Sequence, residues 1–563
     1  MLNYKLKKYL FVSVAIFVLT GCGGGGSSKK TSDTTNIQTL PKEDPYKDSY
    51  KFDFTKTKFV LFAWGNSGMH CMDDNYSIFS LFPPYSTLKA QLIVKGRSPR
   101  IVSEGVIITY EAVAKKDGSI NTSSSNKTDF WKYAGKLFPG KNLKNDVGLD
   151  GKKVQSRVPE KMDYNSTYNL FIAKGIPTVP VNDDGEFDPY PLIKVVAKNK
   201  KGEVLAQTIT SLPVSSEMTC AKCHNDNPSV RMDILEKHDK LHPNAVKDYY
   251  DKLKSKGYDY NKSGLVQTAK NGTPILCSAC HRSNAVPNSG IDGIEQLTYA
   301  IHHAHSNRMT PQSNKTLENS ISRNTCYLCH PGSKTKCLRG AMGSAVDKNG
   351  EFKINCQNCH GSMESVANSA REGWKDEPNC QACHHDGKRV TFALKDVHKW
   401  SLITTNDFRF GTEINVLDAN KTKLYKNSLT HGGVACAACH GPQHGIYPSG
   451  IEEENIQSIS HQGYKGTIRE CGVCHANKVV TVTFNKGPHG LHAHNQEWVN
   501  IHGTIVLRYT SKSCKYCHGN DLKGTALSKA SANRTFKLGI MDKYVKIKRN
   551  EVVGCNKCHQ LLK

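Results

Sequence analysis

The sequence predicts a two-part fold, with an all-β N-terminal domain followed by a cysteine-rich region of loops and short helices. Strand-like apolar runs separated by turns fill much of the stretch before residue 216. After it, the pattern Cys-x-x-Cys-His occurs nine times between Cys220 and His559. The 563-residue chain is 37% hydrophobic, which is thin for a conventional packed core. The second part is therefore expected to owe its cohesion to something other than an ordinary apolar interior.

The N-terminal segment, residues 51–216, is predicted to be a β-sandwich of immunoglobulin-like type. Its strand-like runs are Lys58–Ala63, Ala90–Lys95, Gly105–Ala112, Tyr168–Ala173, Pro191–Ala197 and Val204–Ser211. The last two flank a Lys-Asn-Lys-Lys-Gly connection that suits a hairpin. We find no nucleophile–base pair or metal-ligand cluster in this segment, so a spacer or docking platform is its expected role.

Cys-x-x-Cys-His is the attachment motif of a c-type haem, in which two thiols form thioethers and the histidine ligates the iron. A zinc site shares the Cys-x-x-Cys spacing but does not need histidine at the fifth position each time. The sequence therefore predicts nine covalently attached haem c groups and a multihaem cytochrome c region. The attachment cysteines are Cys220, Cys223, Cys277, Cys280, Cys326, Cys329, Cys356, Cys359, Cys380, Cys383, Cys436, Cys439, Cys471, Cys474, Cys514, Cys517, Cys555 and Cys558. The proximal ligands are His224, His281, His330, His360, His384, His440, His475, His518 and His559.

Five motifs fall in residues 217–400 and four in residues 401–563. The motif-free stretch Trp400–Thr430, with its alternating strand-like pattern, is the expected divider. Between motifs the chain is rich in Gly, Asn, Ser and Lys and is expected to be mostly loop. A helix is predicted within Asp226–Tyr250.

The first residues predict export. Three lysines precede an apolar run too short for a membrane span, which indicates a signal peptide over residues 1–21. The run ends in Leu-Thr-Gly-Cys22, which resembles a bacterial lipobox, so Cys22 is expected to carry lipid. Gly23 resembles the residue that follows the cysteine in outer-membrane lipoproteins, and residues 22–50 read as a flexible tether. We expect a lipoprotein of the outer membrane, facing the periplasm or the cell surface.

The formal charge of +26 has an ordinary explanation in the predicted cofactors. Each haem brings two propionates, which offset much of the excess, so no nucleic-acid partner is expected.

The second axial ligand decides what each haem does. The 24 histidines less the nine in motifs leave fifteen candidates, a surplus that favours two imidazoles on every iron. Such iron exchanges electrons and has no open coordination position for substrate.

Several segments resemble outer-surface multihaem cytochromes of bacteria that respire extracellular metals. They include Gly487–His492, Trp498–Gly503, Gly519–Thr525, Trp64–Asp73, Pro331–Gly340 and Gly441–His444. The resemblance implies nine distal ligands, namely His238, His302, His305, His431, His444, His461, His489, His492 and His502. His70 and His398 are two further candidates, and His70 would attach the β domain to the haem array. His494 does not stand at a ligand position in that pattern, and His385 directly follows a proximal ligand.

Two cysteines remain, Cys71 and Cys337. In an oxidising compartment an even remainder favours a disulfide between them. Free buried thiols, or a thiolate ligand or reactive sulfur site, are the alternatives.

These features predict an electron-transfer protein and not an enzyme. Its expected partners are other multihaem cytochromes or extracellular electron acceptors. One alternative is a multihaem reductase or oxidase of a small nitrogen or sulfur compound, although no Cys-x-x-Cys-Lys variant is present. Another is a subunit of a cytochrome filament, in which one protomer lends a histidine to the next.

Overall fold

The computed structural model of the chain divides into two units, Met1–Glu43 and Asp44–Lys563. It describes residues 57–224, 229–311, 313–368, 425–476, 488–512, 514–539 and 543–559, together with the backbone of 384–385 and 388–389. The described residues all belong to the second unit. Cys22, Cys380, Cys383 and His398, and the side chain of His384, lie outside them, so the predictions made for these residues stay predictions.

Several antiparallel sheets and a set of mostly short helices make up the fold. The first sheet has the order β1 (Phe59–Gly65), β4 (Tyr85–Val94), β9 (Leu170–Pro177) and β8 (Asp163–Asn165), with β5 (Arg100–Ile101) also pairing with β4. The second sheet has the order β11 (Val204–Ser211), β10 (Leu192–Asn199), β6 (Val106–Ala112) and β7 (Glu160–Lys161). The six strand-like runs of the sequence correspond to β1, β4, β6, β9, β10 and β11.

Period-2 alternation explains how the two sheets share a core. Leu61, Leu92, Ile108 and Val195 come from strands of both sheets and are buried in one apolar cluster. Strands β10 and β11 pair antiparallel across the predicted hairpin connection, where Asn199 and Glu203 exchange hydrogen bonds. The hairpin prediction is confirmed.

Strand β1 is buried on both faces, which accounts for its unbroken apolar sequence. Leu61 and Ala63 point into the core between the sheets. Phe62 and Trp64 lie on the opposite face and pack in another cluster with Cys436 and Ala437 of the sixth Cys-x-x-Cys-His motif. The first sheet is therefore a platform on which part of the cysteine-rich region is built.

Two small parallel pairings bring further segments together. Strand β2 (His70–Cys71) pairs with β12 (Val214–Ser215), and β3 (Phe79–Ser80) pairs with β13 (Ile275–Leu276), directly before the second motif. Gly68, with φ of 72°, lies so close to the chain at Gln443 that an added Cβ would be 2.0 Å from its carbonyl oxygen. Only glycine fits this contact between the β1–β2 loop and the segment after the sixth motif.

The helices are short, and most lie next to a motif. In chain order they are α1 (Phe130–Leu137), α2 (Val230–Leu241), α3 (Ala245–Asp248), α4 (Tyr250–Ser255), α5 (Leu265–Lys270), α6 (Leu297–Ser306), α7 (Arg323–Cys326), α8 (Gln357–His360), α9 (Met363–Val366), α10 (Cys436–His440), α11 (Glu452–Gln462), α12 (Gln496–Tyr509) and α13 (Lys515–His518). The predicted helix within Asp226–Tyr250 is present as α2 and α3, separated by a short turn. Among the described helices, none has both the length and the apolarity needed to cross a membrane.

The remaining strands are short hairpins. They are β14 (His384–His385) with β15 (Lys388–Arg389), β16 (Leu429–Thr430) with β17 (Val434–Ala435), and β18 (Arg534–Leu538) with β19 (Lys543–Ile547). The predicted divider, Trp400–Thr430, is described only from Tyr425 onward.

Candidate haem-binding sites

The described motifs share one local geometry. We number the nine motifs 1 to 9 in chain order, so that motif 5 is Cys380–His384. In motif 1 the carbonyl of Cys220 accepts hydrogen bonds from the amides of Cys223 (3.2 Å) and His224 (3.0 Å), and motifs 2, 3, 4, 7, 8 and 9 repeat this pattern. Residues three and four apart on one turn lie on the same side. The turn thus brings both thiols and the imidazole of a motif to one side.

Glycine ends this turn in three motifs. Gly361, Gly441 and Gly519 follow the motif histidines with φ of 81°, 82° and 83°. This region of φ suits glycine, which has no Cβ, and it directs the chain away after the histidine.

A second imidazole stands opposite most of the described motif histidines. The ring centres of seven such pairs lie 5.7 to 6.2 Å apart. The pairs are His224–His305, His330–His302, His360–His444, His440–His489, His475–His431, His518–His492 and His559–His502. In motif 2, His281 interacts electrostatically with His238. Eight of the nine distal candidates therefore lie near a motif histidine.

The separations match a metal held between two rings. A metal sits about 2 Å from an imidazole nitrogen, so two ligating nitrogens stand about 4 Å apart and their ring centres about 6 Å apart. The Nε2 atoms of His440 and His489 are 3.5 Å apart, and those of His502 and His559 are 3.4 Å apart. Both distances lie between the usual range of a direct hydrogen bond, about 2.7–3.2 Å, and the roughly 4 Å that separates two nitrogens ligating one metal.

Three of the distal candidates have an unusual backbone. His431, His444 and His489 adopt φ of 45°, 60° and 56°, in the left-handed region that non-glycine residues enter rarely, although histidine, like Asn and Asp, does so more often than most. Such conformations cost free energy and persist where the surrounding structure requires them, often at functional sites.

A cavity of about 2900 Å³ connects these groups. A pocket for one small ligand encloses about 300–1,000 Å³, so this space suits several large groups. Its walls include cysteine or histidine residues of motifs 1, 2, 3, 4, 6, 7 and 8 and the distal candidates of the same motifs. They also carry twelve lysine and arginine residues against three aspartate and glutamate residues. The space is therefore basic and bordered by the predicted ligands.

The Nδ1 atoms of several candidate ligands are bound to the protein. Those of His281 and His518 contact the carbonyls of Glu295 and Val553, both at 2.8 Å. Those of His302, His305, His492 and His502 contact backbone carbonyls at 2.6 to 2.9 Å. Since Nδ1 carries the proton that it donates, Nε2 is the unprotonated nitrogen of each ring, which is the form that can ligate a metal.

Burial also keeps candidate ligands neutral. It lowers the pKa of His238 to about 4 and of His492 to about 4, and it lowers the pKa of His330 below its ordinary value. A neutral imidazole is the form that binds metal.

Neighbouring sites share structural elements. Helix α6 carries both His302, which faces motif 3, and His305, which faces motif 1. His444, four residues after the motif 6 histidine, faces motif 4. His489 faces motif 6 and His492 faces motif 8.

Contacts between attachment cysteines add further neighbours. The thiols of Cys326 and Cys356 lie close enough to shift each other's pKa, which brings motifs 3 and 4 together. Electrostatic interactions join Cys220 to Cys277, Cys439 to Cys474 and Cys514 to Cys555, which places motif 1 near 2, 6 near 7 and 8 near 9.

His70 and His461 are placed elsewhere by the structure. Nε2 of His70 lies 2.7 Å from the carbonyl oxygen of Pro83, and that of His461 lies 3.0 Å from the carbonyl oxygen of Leu61. The ring of His461 also packs edge-on against Phe62 at 4.9 Å. Burial lowers the pKa of each histidine to about 4. Nε2 of His70 thus lies at a loop carbonyl and Nε2 of His461 at a carbonyl of strand β1, and the assignment of these two residues as ligands stays a prediction.

The disulfide between Cys71 and Cys337 stays a prediction. The two thiols interact electrostatically and are not bonded to each other in this structure. Sγ of Cys337 instead lies 3.6 Å from Nδ1 of His444, and this imidazole lowers the pKa of the thiol against the opposing effect of burial.

Some residues of the site lie outside the Cys-x-x-Cys-His motifs and were not predicted to have a role in it. Oδ2 of Asp233 lies 2.8 Å from Nδ1 of His224. Arg339 and Glu454 form an ion pair with side chains only 1% and 2% exposed, and Arg339 also donates to the Gly68 carbonyl at 2.5 Å. Trp498, which lies within one of the segments used for the family resemblance, stacks on His492 with ring centres 4.0 Å apart.

No family model matches this chain, and no curated protein is significantly similar to it. Within the described parts of the chain, no group of three or more His, Cys, Asp or Glu side chains is arranged to hold a metal ion by itself.

Proposed function

We propose that this chain is a nonahaem c-type cytochrome that relays electrons. The observation that carries the proposal is the spacing of the imidazole pairs, which leaves room for one metal between the rings at motif after motif. Two cysteines of each motif would bind a haem covalently, and the motif histidine with its facing histidine would hold the iron. Haem c supplies a reversible one-electron couple between ferric and ferrous iron.

The residues around the cavity fit this cofactor. Haem propionates are anions, and the excess of lysine and arginine along the cavity wall favours them. Buried neutral imidazoles are good iron ligands, and the left-handed backbone at three of them is consistent with a structural demand at those positions.

The protein's own residues determine how the sites communicate. The shared elements and the cysteine contacts support a series running through motifs 2, 1, 3, 4, 6, 8 and 9, with motif 7 beside motif 6. Two histidines on one helix, or on one short segment, would hold adjacent irons at a fixed separation. With a histidine on each side of the iron, such sites would favour electron exchange over substrate binding.

Lipid on Cys22 would attach the protein to the outer membrane, facing the periplasm or the cell surface, where other multihaem cytochromes or extracellular acceptors exchange electrons with it. We propose that the two β sheets form an immunoglobulin-like sandwich. It would act as a platform, since the outer face of β1 packs against motif 6.

Haem content and spin state test the proposal directly. The protein, produced in a host that attaches c-type haem, is expected to contain nine haems by the pyridine haemochrome assay. Its ferric electron paramagnetic resonance (EPR) spectrum should be low-spin, and cyanide or nitrite should leave the absorption spectrum unchanged. A high-spin ferric signal together with binding of either anion would instead identify an open iron and favour the reductase or oxidase.

A further inference from the structure

We propose that Asp233 is a positioning residue that lowers the reduction potential of the haem at motif 1 through a hydrogen bond to its proximal ligand, His224. This inference rests on the proposed function, because it concerns one iron of the same array. It adds a residue that the motif pattern does not contain.

The geometry begins with helix α2. Ser229 caps this helix by accepting from the amide of Met232, and Asp233 lies in its first turn. Oδ2 of Asp233 lies 2.8 Å from Nδ1 of His224, and Lys237, one turn later, pairs with the other carboxylate oxygen. Lys237 and the helix thus fix the carboxylate in an orientation that presents Oδ2 to the imidazole.

The contact is sheltered from water. The side chains of His224 and Asp233 are 18% and 7% exposed. Hydrogen bonds to a carboxylate are about twice as strong as those between neutral groups, and poor solvent access preserves the difference. At motifs 2 and 8 the corresponding Nδ1 meets a neutral backbone carbonyl.

The chemical consequence follows from the acceptor. An imidazole that donates its Nδ1 proton to a carboxylate becomes more electron-rich at Nε2, which makes it a more basic ligand. A more basic axial ligand stabilises ferric over ferrous iron, and hydrogen bonding around the ligand is an established means of setting haem potentials. The motif 1 haem is therefore expected to have a lower reduction potential than it would have with a neutral acceptor at this position.

The test is a spectropotentiometric titration of Asp233→Asn in the full-length haem-loaded protein. Asparagine keeps the shape and an acceptor oxygen but removes the charge. One ninth of the haem absorbance is expected to titrate at higher potential. At a fixed applied potential the ferrous-to-ferric ratio of that haem should rise about tenfold, which corresponds to a shift of about 59 mV for a one-electron couple. The EPR signal of one low-spin haem should change as well, while haem content stays at nine.

Three further variants complete the experiment. Asp251→Asn removes an exposed carboxylate from the next but one helix, α4, and should leave the titration unchanged. Asp233→Glu should restore most of the wild-type curve. Lys237→Met frees the carboxylate from its cation and should move the same component to lower potential.

The inference is overturned if Asp233→Asn and Asp251→Asn give the same titration while all nine haems remain low-spin. Should Asp233→Asn fail to fold, an unchanged curve for Lys237→Met would overturn it equally. A failure of the proposed function would show separately, as missing or high-spin haem in the unmodified protein.

Discussion

Helix α6 presents three histidines within four residues, and the structure assigns them different roles. His302 faces the motif 3 histidine and His305 faces the motif 1 histidine, both with ring centres 6.2 Å apart. His303 points away, stacks on Tyr299 and pairs with Glu364 at 3.0 Å. Successive residues are turned by about 100° around a helix, which separates His303 from its two neighbours.

We predict that His302→Ala and His305→Ala each convert one haem of the nine from low-spin to high-spin. The double variant should convert two, because the two histidines face different motifs. His303→Ala is the matched control on the same helix, and its spectrum should equal that of the wild type. The measurement is the high-spin fraction of the ferric EPR signal, normalised to haem content.

The control should also be nearly neutral in stability. The His303 and Glu364 side chains are 54% and 41% exposed, and an exposed ion pair contributes about 0–1 kcal/mol. Alanine is the better helix former by up to about 0.7 kcal/mol, so the two effects largely cancel. A high-spin signal in His303→Ala, or a fully low-spin His302→Ala, would refute the ligand assignment from this structure.

Glu454→Gln should lower the free energy of unfolding, measured by urea denaturation, by about 3–5 kcal/mol, because it leaves Arg339 buried without its counterion. The double variant Arg339→Leu/Glu454→Leu should lower the free energy of unfolding by less. Equal decreases for the two variants would argue against a buried ion pair. His461→Phe should keep nine low-spin haems. It should lower the free energy of unfolding by about 1–3 kcal/mol, because the hydrogen bond to the Leu61 carbonyl is lost. A new high-spin haem would instead identify His461 as an iron ligand. Cys22→Ser should move the protein from the membrane fraction to the soluble fraction, and retention of lipid label by this variant would contradict anchoring at Cys22.

Local sequence patterns were sufficient for features that depend on near neighbours. The turn of each described motif is set by residues three and four apart, so the motif itself predicts it. The six longer strands follow from alternating or continuous apolar residues, because the side-chain period of a strand is two. The short pairings of β2 with β12 and β3 with β13 were not predicted, since two-residue strands leave too little pattern.

Which imidazole faces which motif was decided by the tertiary structure. His502 and His559 are 57 residues apart, and their contact depends on the path of α12 and the C-terminal motif. The family resemblance implied His461 as a ligand. In the folded chain, however, Nε2 of His461 lies within hydrogen-bonding distance of the Leu61 carbonyl in strand β1. Likewise, nothing in the sequence around Asp233 marks it as a partner of His224, because the first turn of α2 brings the two together only after folding. The sequence by itself therefore determined the attachment chemistry, which is covalent and local, whereas the ligand pairing and the hydrogen bonds around it arise from contacts between distant segments.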